Sequence, residues 1–151
     1  MMKKVKRILF PVDLSETSPK IVPYALTMAE KFDAEIHLLF VARAFQYFKA
    51  VYVPNISIQT LENEICEGAE RRLQEFKDKF FPMRSAVKAQ VVSGDISEEI
   101  LKYIENSDID MLIMGTHGRK GLERAFFGSV ADRVIKTAPV PVFVINPYRI
   151  S

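Results

Sequence analysis

The sequence predicts an α/β fold: a single domain with a doubly wound, open, parallel five-stranded sheet and helices on both faces. Short runs rich in β-branched and aromatic residues alternate with longer runs of helical period along the chain. The expected strands are almost continuously apolar, which is typical of parallel strands covered on both faces. With 151 residues, 48% of them hydrophobic, the chain can build one core, so residues 1–151 are expected to form one domain.

The first half of the chain is expected to supply two strands and two helices. Residues 6–12 form the first strand, and Ser18 is placed to cap a helix with Pro19 at its first position. Pro23 interrupts the apolar period of this helix, which is expected to start later or to bend there. Residues 34–41 form the second strand. After an irregular stretch, a long charged helix shows apolar residues at helical spacing, Leu61, Ile65, Ala69, Leu73, Phe76 and Phe80.

The second half continues the alternation. Residues 85–92 form a third strand, and Asp95 and Glu98 have the spacing of a capping box at the next helix start. Residues 111–114 form a fourth buried strand, and after a glycine-bearing loop Gly128-Ser129 is expected to open the last helix. Residues 140–145 form the fifth strand. Right-handed crossovers then favour a Rossmann-like sheet, with its ligand beyond the carboxyl ends of the strands where the strand order reverses.

Composition narrows the class of protein. Lys and Arg number 21 against 19 Asp and Glu, a net charge of +2, which argues against a general nucleic-acid binder. No apolar run reaches the roughly 20 residues of a membrane helix, and the run 8–12 is too short for a signal peptide. A cytoplasmic protein without a membrane partner is expected. The single cysteine, Cys66, cannot form an intramolecular disulfide and is expected to be a partly buried thiol.

The loop after the fourth strand carries the clearest chemical signal. Gly115, Gly118 and Gly128 permit close approach of the backbone to a ligand. A helix that begins at Gly128-Ser129 would direct its unpaired N–H groups and positive dipole end toward a phosphate, and the Ser129 hydroxyl would add a hydrogen bond. Positive charge would come from Arg119, Lys120 and Arg124. Taken singly, the glycines are equally well explained as turn residues, and no Gly-Lys-Ser or Gly-Lys-Thr of the usual phosphate loop is present.

With two further landmarks, this loop resembles the ATP-binding universal stress proteins. The pattern Gly115-x2-Gly118-x9-Gly128-Ser129 matches the nucleotide-binding pattern of that family, which has serine or threonine at the last position. The opening Pro11-Val12-Asp13 and the closing segment 139–142 are also similar, so the resemblance covers essentially the whole chain. It implies an ATP-binding module with a nucleotide-dependent regulatory or stress-response role toward an unidentified protein partner.

The resemblance also implies roles for matching positions. The adenine and ribose would be bordered by Pro11, Val12, Asp13 and Val41. The floor near the ribose would be lined by Met114 and Gly115. The phosphates would be held by Gly118, Gly128, Ser129 and Val130. From the residues alone, Asp13 is also explained as a turn-capping carboxylate, and Val41 and Met114 as ordinary core.

His117 and Arg119 complete the candidate cofactor-binding set because both lie inside the glycine-bearing loop. As a catalytic base, His117 has no Ser, Cys or Asp nucleophile near it in sequence, so no catalytic residue is predicted. No cluster has metal-ligand spacing either, and any Mg²⁺ would be held mainly through the phosphates and water. Two alternatives stay open: a slow ATPase or phosphotransferase using the same pocket, and a nucleotide-free interaction module.

The last strand and one irregular segment are the parts of the chain expected to contact partners. The family resemblance implies a homodimer in which two C-terminal strands pair across a two-fold axis. An exposed edge strand needs covering, and Pro141 fits an edge better than a central strand. The aromatic-rich segment 45–52 is interpreted as a lid or partner-docking surface, or as local packing over the sheet edge.

Overall fold

The computed structural model describes residues 3–43, 58–83, 86–116 and 123–150, with the backbone alone at 58 and 123–128. Its strands are β1 (Arg7–Pro11), β2 (Glu35–Ala42), β3 (Val87–Ser93), β4 (Met111–Gly115) and β5 (Val142–Ile145). Its helices are α1 (Ser18–Phe32), α2 (Ile58–Phe80), α3 (Ile96–Asn106) and α4 (Glu123–Thr137).

All five strands form one parallel sheet in the order β3-β2-β1-β4-β5. The predicted α/β class and the parallel five-stranded sheet are confirmed. On one side of β1 lie β2 and then β3, and on its other side lie β4 and then β5. The strand order therefore reverses between β1 and β4. None of the described helices is long and apolar enough to cross a membrane.

The sheet separates two apolar clusters. On one face, Ile8 and Phe10 of β1 belong to the cluster formed with α1 and α2. On the other face, Leu9 belongs to the cluster formed with α3 and α4. Because successive strand residues point to opposite faces, the continuous apolar run of β1 serves both clusters, which is the physical reason for the doubly wound arrangement.

The start of α1 differs from the prediction. Thr17, not Ser18, occupies the N-cap position, and its side chain makes no capping hydrogen bond. Ser18 is the first helical residue, and its hydroxyl donates to the Asp13 carboxylate at 2.7 Å. Pro23 does not delay the helix, which already begins at Ser18. The hydroxyl of Thr27 donates to the Pro23 carbonyl at 2.8 Å.

The Asp95 half of the predicted capping box of α3 is confirmed. Asp95 lies at the N-cap with extended backbone, and its carboxylate accepts from the Glu98 N–H at 3.0 Å. Glu98 lies 3.7 Å from the guanidinium of Arg133 on α4.

The predicted start of α4 is wrong. The helix begins at Glu123, so Gly128 and Ser129 lie inside it, not at its first turn. N–H groups beyond the first turn of a helix bond to carbonyls four residues earlier. In this conformation, therefore, the N–H groups of Gly128 and Ser129 are not available as the free donors that a phosphate would need.

Candidate functional site

The crevice expected for a ligand lies at the carboxyl ends of β1 and β4, where the strand order reverses. Leu9 of β1 is paired with Leu112 of β4, so Pro11 and Met114, each two residues further on, reach the same level. Pro11, Met114 and Gly115 are all buried. The structure thus brings Pro11, which was predicted to border the adenine and ribose, to the level of Met114 and Gly115, which were predicted to line the floor.

Asp13 follows β1 and organises the turn into α1. Its Oδ1 atom accepts hydrogen bonds from the Ser15 N–H at 3.0 Å, the Ser15 hydroxyl at 2.7 Å and the Ser18 hydroxyl at 2.7 Å. The Ser18 hydroxyl accepts in turn from the Asp13 N–H at 3.3 Å. Leu14, between them, has a positive φ of 60°. The turn-capping role that the sequence left open for Asp13 is therefore real, and it occupies one oxygen.

The other oxygen, Asp13 Oδ2, is buried and has no hydrogen-bond partner. It is the one side-chain atom of that kind within the described ranges. A buried carboxylate oxygen without a partner costs free energy, so such an atom calls for a further hydrogen-bond donor. An N–H or O–H group at the mouth of the crevice would satisfy it, and the amino group of adenine or a ribose hydroxyl offers that chemistry.

Three of the apolar candidates, Val41, Met114 and Val130, fall on one side of the sheet. Val41, 9% exposed, and Met114, fully buried, belong to the cluster between the sheet and helices α3 and α4, and Val130 packs against the same cluster. Val12 belongs to the cluster on the opposite face. As the structure has them, Val41 and Met114 are core residues, so a base could meet only the rim of this cluster.

The remaining candidates lie on the loop and the helix that follow β4. His117, Gly118 and Arg119 are outside the described residues. Gly128 is placed in α4 by its backbone, and Ser129 is exposed on the same helix. Ser129 is thus on the surface of the helix even though its N–H is inside the helical bonding pattern.

Arg133, on the same helix as Ser129, was not singled out in the sequence. Its Nη1 donates to the Ser97 hydroxyl at 3.1 Å and lies 3.5 Å from the Asp95 carboxylate, and its Nη2 lies 3.7 Å from Glu98. Burial alone would raise the pKa of Asp95, but the Glu98 N–H, the Ser97 hydroxyl and the nearby guanidiniums outweigh it and lower that pKa. The available signal was the spacing of Ser129 and Arg133, which places them on one helix face.

A second polar cluster surrounds His37 near the opposite end of β2. Its Nδ1 lies 2.7 Å from the Tyr103 hydroxyl, and its Nε2 is bonded to the Glu35 carboxylate, which also pairs with Lys88 at 3.4 Å. Burial opposes ionisation of Glu35, yet His37 and Lys88 together lower its pKa. Both ring nitrogens are therefore satisfied within the protein. Across the described ranges, no group of three or more His, Cys, Asp or Glu residues could hold a metal ion.

Comparison with known proteins identifies the family. Residues 4–146 match the model of the Universal stress protein family. The chain belongs to this family. It is 32% identical over 142 residues to Universal stress protein MJ0531 of Methanocaldococcus jannaschii, covering 93% of this chain and 82% of that protein. The solved structure of MJ0577 has a TM-score of 0.72 and 30% identity, covering 95% of this chain and 97% of that one.

Solved structures of other universal stress proteins contain nucleotides. One from Archaeoglobus fulgidus is in complex with dAMP; it has a TM-score of 0.66 and 16% identity, covering 95% of this chain and all of that one. Another is in complex with cAMP, with a TM-score of 0.59 and 16% identity, covering 96% of this chain and 99% of that one. At this identity the two structures support the fold, and the nucleotides are properties of those proteins.

Proposed function

We propose that this universal stress protein binds an adenine nucleotide, ATP foremost, at the carboxyl ends of β1 and β4. We take it to be a single-domain cytoplasmic module that acts through a protein partner in a stress response and is not a dedicated enzyme. The observation that carries the proposal is Oδ2 of Asp13, which is buried, has no partner among the described residues and lies where the strand order reverses. Membership of a family with dAMP and cAMP complexes supports the adenine class.

The adenine and ribose end of the site is built on rigid strand ends. Asp13 is held by three hydrogen bonds to Oδ1, so Oδ2 is presented in a constant position. An amino or hydroxyl donor of the nucleoside would pair with it. The rim of the apolar cluster at Val41 and Met114 would contact the base, and the buried ends Pro11 and Gly115 would form the floor.

The phosphate end requires a rearrangement of α4. Ser129 is exposed on α4, but the N–H groups at 128–130 become free donors only if the helix begins at Gly128. We therefore expect nucleotide binding to shorten α4 from its amino-terminal end. His117, Gly118 and Arg119 would approach the phosphates from the loop, and Mg²⁺ would be bound through phosphate oxygens. Hydrogen exchange at 123–128 that is faster with Mg-ATP than without it would support this step, and slower exchange would contradict it.

The test of binding is a calorimetric titration of nucleotide-stripped protein with Mg-ATP. Micromolar or tighter binding is expected for the wild type, with loss of binding in Gly128→Val. Asp13→Asn is an isosteric second variant: it keeps an oxygen for the three donors at Oδ1 and replaces the acceptor Oδ2 by a donor, so weaker binding is expected. Gly68→Ala on α2 is the matched glycine control and should bind as the wild type does.

Folded wild-type protein that binds no Mg-ATP would overturn the proposal and leave a nucleotide-free interaction module. Circular dichroism of each variant shows whether a loss of binding reflects a loss of fold. The formation of ADP from bound ATP, measured over hours, separates the two classes: a slow ATPase forms ADP, and a binding module leaves the ATP intact.

We further propose a homodimer joined through β5. Among the described strands this one lies at the edge of the sheet, with one side of its backbone not paired to any of them, and Phe143 is 36% exposed. Sedimentation equilibrium is expected to give a dimer at micromolar concentration and a shift toward monomer in Phe143→Lys. A wild-type protein that is monomeric at that concentration would refute the pairing.

A further inference from the structure

Arg133 links the two helices on one face of the sheet. Its guanidinium contacts three side chains in the first turn of α3, namely those of Asp95, Ser97 and Glu98. Lys136 lies on the same helix, but its ion pair makes no link to α3, since it pairs with Asp132 of α4 itself at 2.9 Å. Arg133 thus joins α4 to another element, whereas the Lys136 pair lies within α4.

The position of Arg133 relates it to the phosphate end of the proposed site. It follows Ser129 by four residues, which is one helical turn, so the two side chains lie on one face of α4. Helical side chains tilt toward the amino terminus of their helix, and this direction carries the guanidinium back toward Ser129 and the carboxyl edge of the sheet.

The first turn of α3 is in turn anchored beside the proposed adenine site. The N–H of Gly94, which precedes the Asp95 cap, donates to the carbonyl of Ala42 at 3.1 Å. Ala42 ends β2 and follows Val41 directly. A continuous set of contacts therefore runs from α4 through Arg133 and the α3 cap to the end of β2.

We propose that Arg133 is a positioning residue of the nucleotide site. It holds the face of α4 that carries Ser129 at a set distance from the end of β2, so the phosphate and adenine ends of the site stay in register. The inference rests on the proposed nucleotide-binding function. Arginine suits the role because its planar guanidinium can hold several acceptors in a constant geometry, which the single ammonium of lysine cannot do.

The expected effect is on selectivity and not on overall stability. The Arg133 side chain is about half exposed, so its ion pairs contribute little to folding. We expect Arg133→Gln to shift the melting midpoint by less than about 3 °C. ATP uses both ends of the site, whereas AMP has a single phosphate and relies mainly on the adenine end. The ratio of ATP to AMP affinity therefore reports positioning, which a purely structural role would not change.

The experiment measures Kd for Mg-ATP and for AMP in the wild type, Arg133→Gln, Arg133→Lys and Lys136→Gln. The last variant is the matched control because it removes one positive charge and one ion pair from the same helix. In Arg133→Gln, the affinity for ATP is expected to fall by about tenfold more than the affinity for AMP. This factor corresponds to the free energy of one charge-assisted hydrogen bond. Arg133→Lys should recover part of this loss, and Lys136→Gln should keep the wild-type ratio.

Ser97→Ala separates positioning from direct phosphate contact, because it removes one of the three contacts of Arg133 on α3 and leaves the guanidinium in place. Positioning predicts that Ser97→Ala also lowers the ATP-to-AMP ratio and adds little to Arg133→Gln in the double variant. Tighter ATP binding in Ser97→Ala would overturn positioning in favour of direct contact. An unchanged ratio in Arg133→Gln, with both nucleotides still bound, would overturn this inference alone. A wild type that binds neither nucleotide would overturn the proposed function and this inference with it.

Discussion

Replacing Gly94 by alanine is expected to destabilise the protein, whereas the same replacement at Gly68 is expected to stabilise it. Gly94 has a φ of +152°, a region that side chains rarely adopt. A Cβ built there would lie 2.8 Å from Oε1 and 2.9 Å from Cγ of Glu99. Gly68 lies inside α2, where the nearest heavy atom to an added Cβ is 4.0 Å away.

The two substitutions change the free energy of unfolding in opposite directions, because backbone strain dominates at Gly94 and helix propensity dominates at Gly68. At Gly94 the backbone strain costs about 1–3 kcal/mol, and the lower entropy of the unfolded chain returns only about 0.4–1 kcal/mol. Collision with Glu99 adds to the cost. At Gly68, alanine is favoured over glycine in a helix interior by about 1 kcal/mol. The two variants should therefore differ by about 2–3 kcal/mol in the free energy of unfolding, or roughly 4–12 °C in Tm for a domain of this size.

Urea denaturation with a constant m-value measures these differences. Glu99→Ala, alone and combined with Gly94→Ala, separates the collision from the strain: if the collision matters, the double variant is more stable than the sum of the single effects predicts. A Gly94→Ala protein as stable as the wild type would refute the strain argument. A destabilised Gly68→Ala protein would show that the environment of α2 is not as open as the distances indicate.

Two further substitutions test buried polar contacts. Asp110 accepts from the Lys3 ammonium at 2.9 Å and from the N–H groups of Lys6 and Arg7, and these donors outweigh burial and lower its pKa. Its contribution is therefore complete above the unfolded pKa of about 3.9 and is lost as the pH falls through the lower folded pKa. Asp110→Asn should cost about 1–2 kcal/mol at pH 7. Urea titrations at decreasing pH should show this difference closing only below about pH 4, and a difference independent of pH would contradict the mechanism. Tyr103→Phe removes the hydroxyl that lies 2.7 Å from Nδ1 of His37 and should lower the free energy of unfolding by about 1–3 kcal/mol. An unchanged urea midpoint would show that the ring nitrogen finds another partner.

Local pattern in the sequence was sufficient for the strands and for one helix cap. The apolar runs around Leu9, Leu38 and Leu112 predict buried parallel strands because such strands must be apolar on both faces. The Asp95 cap could also be predicted, since the carboxylate and the N–H it binds are only three residues apart. The order of these elements indicates a parallel sheet, but only the structure shows that the strand order reverses between β1 and β4.

The predictions that were wrong concern the starts of two helices. Ser18 was expected to cap α1, but its hydroxyl bonds to Asp13 across the turn. Gly128 was expected to open α4, but the helix begins at Glu123. Glycine lowers helix propensity without forbidding a helix, so its presence could not determine where the helix starts. Nor could the sequence show that Asp13 would use one oxygen in its own turn and leave the other without a partner.

By itself, the sequence determined the fold class and the family resemblance, because each depends on patterns within a few residues or on element order, and it predicted the strand ends at which a ligand would lie. Only the tertiary structure decided that Arg133 holds the α3 cap 36 residues away, and that Tyr103 satisfies a histidine 66 residues away. Such pairs depend on how helices pack over the sheet, and many polar residues on each helix have suitable spacing. Packing selects one partner among them, and no local pattern records that choice.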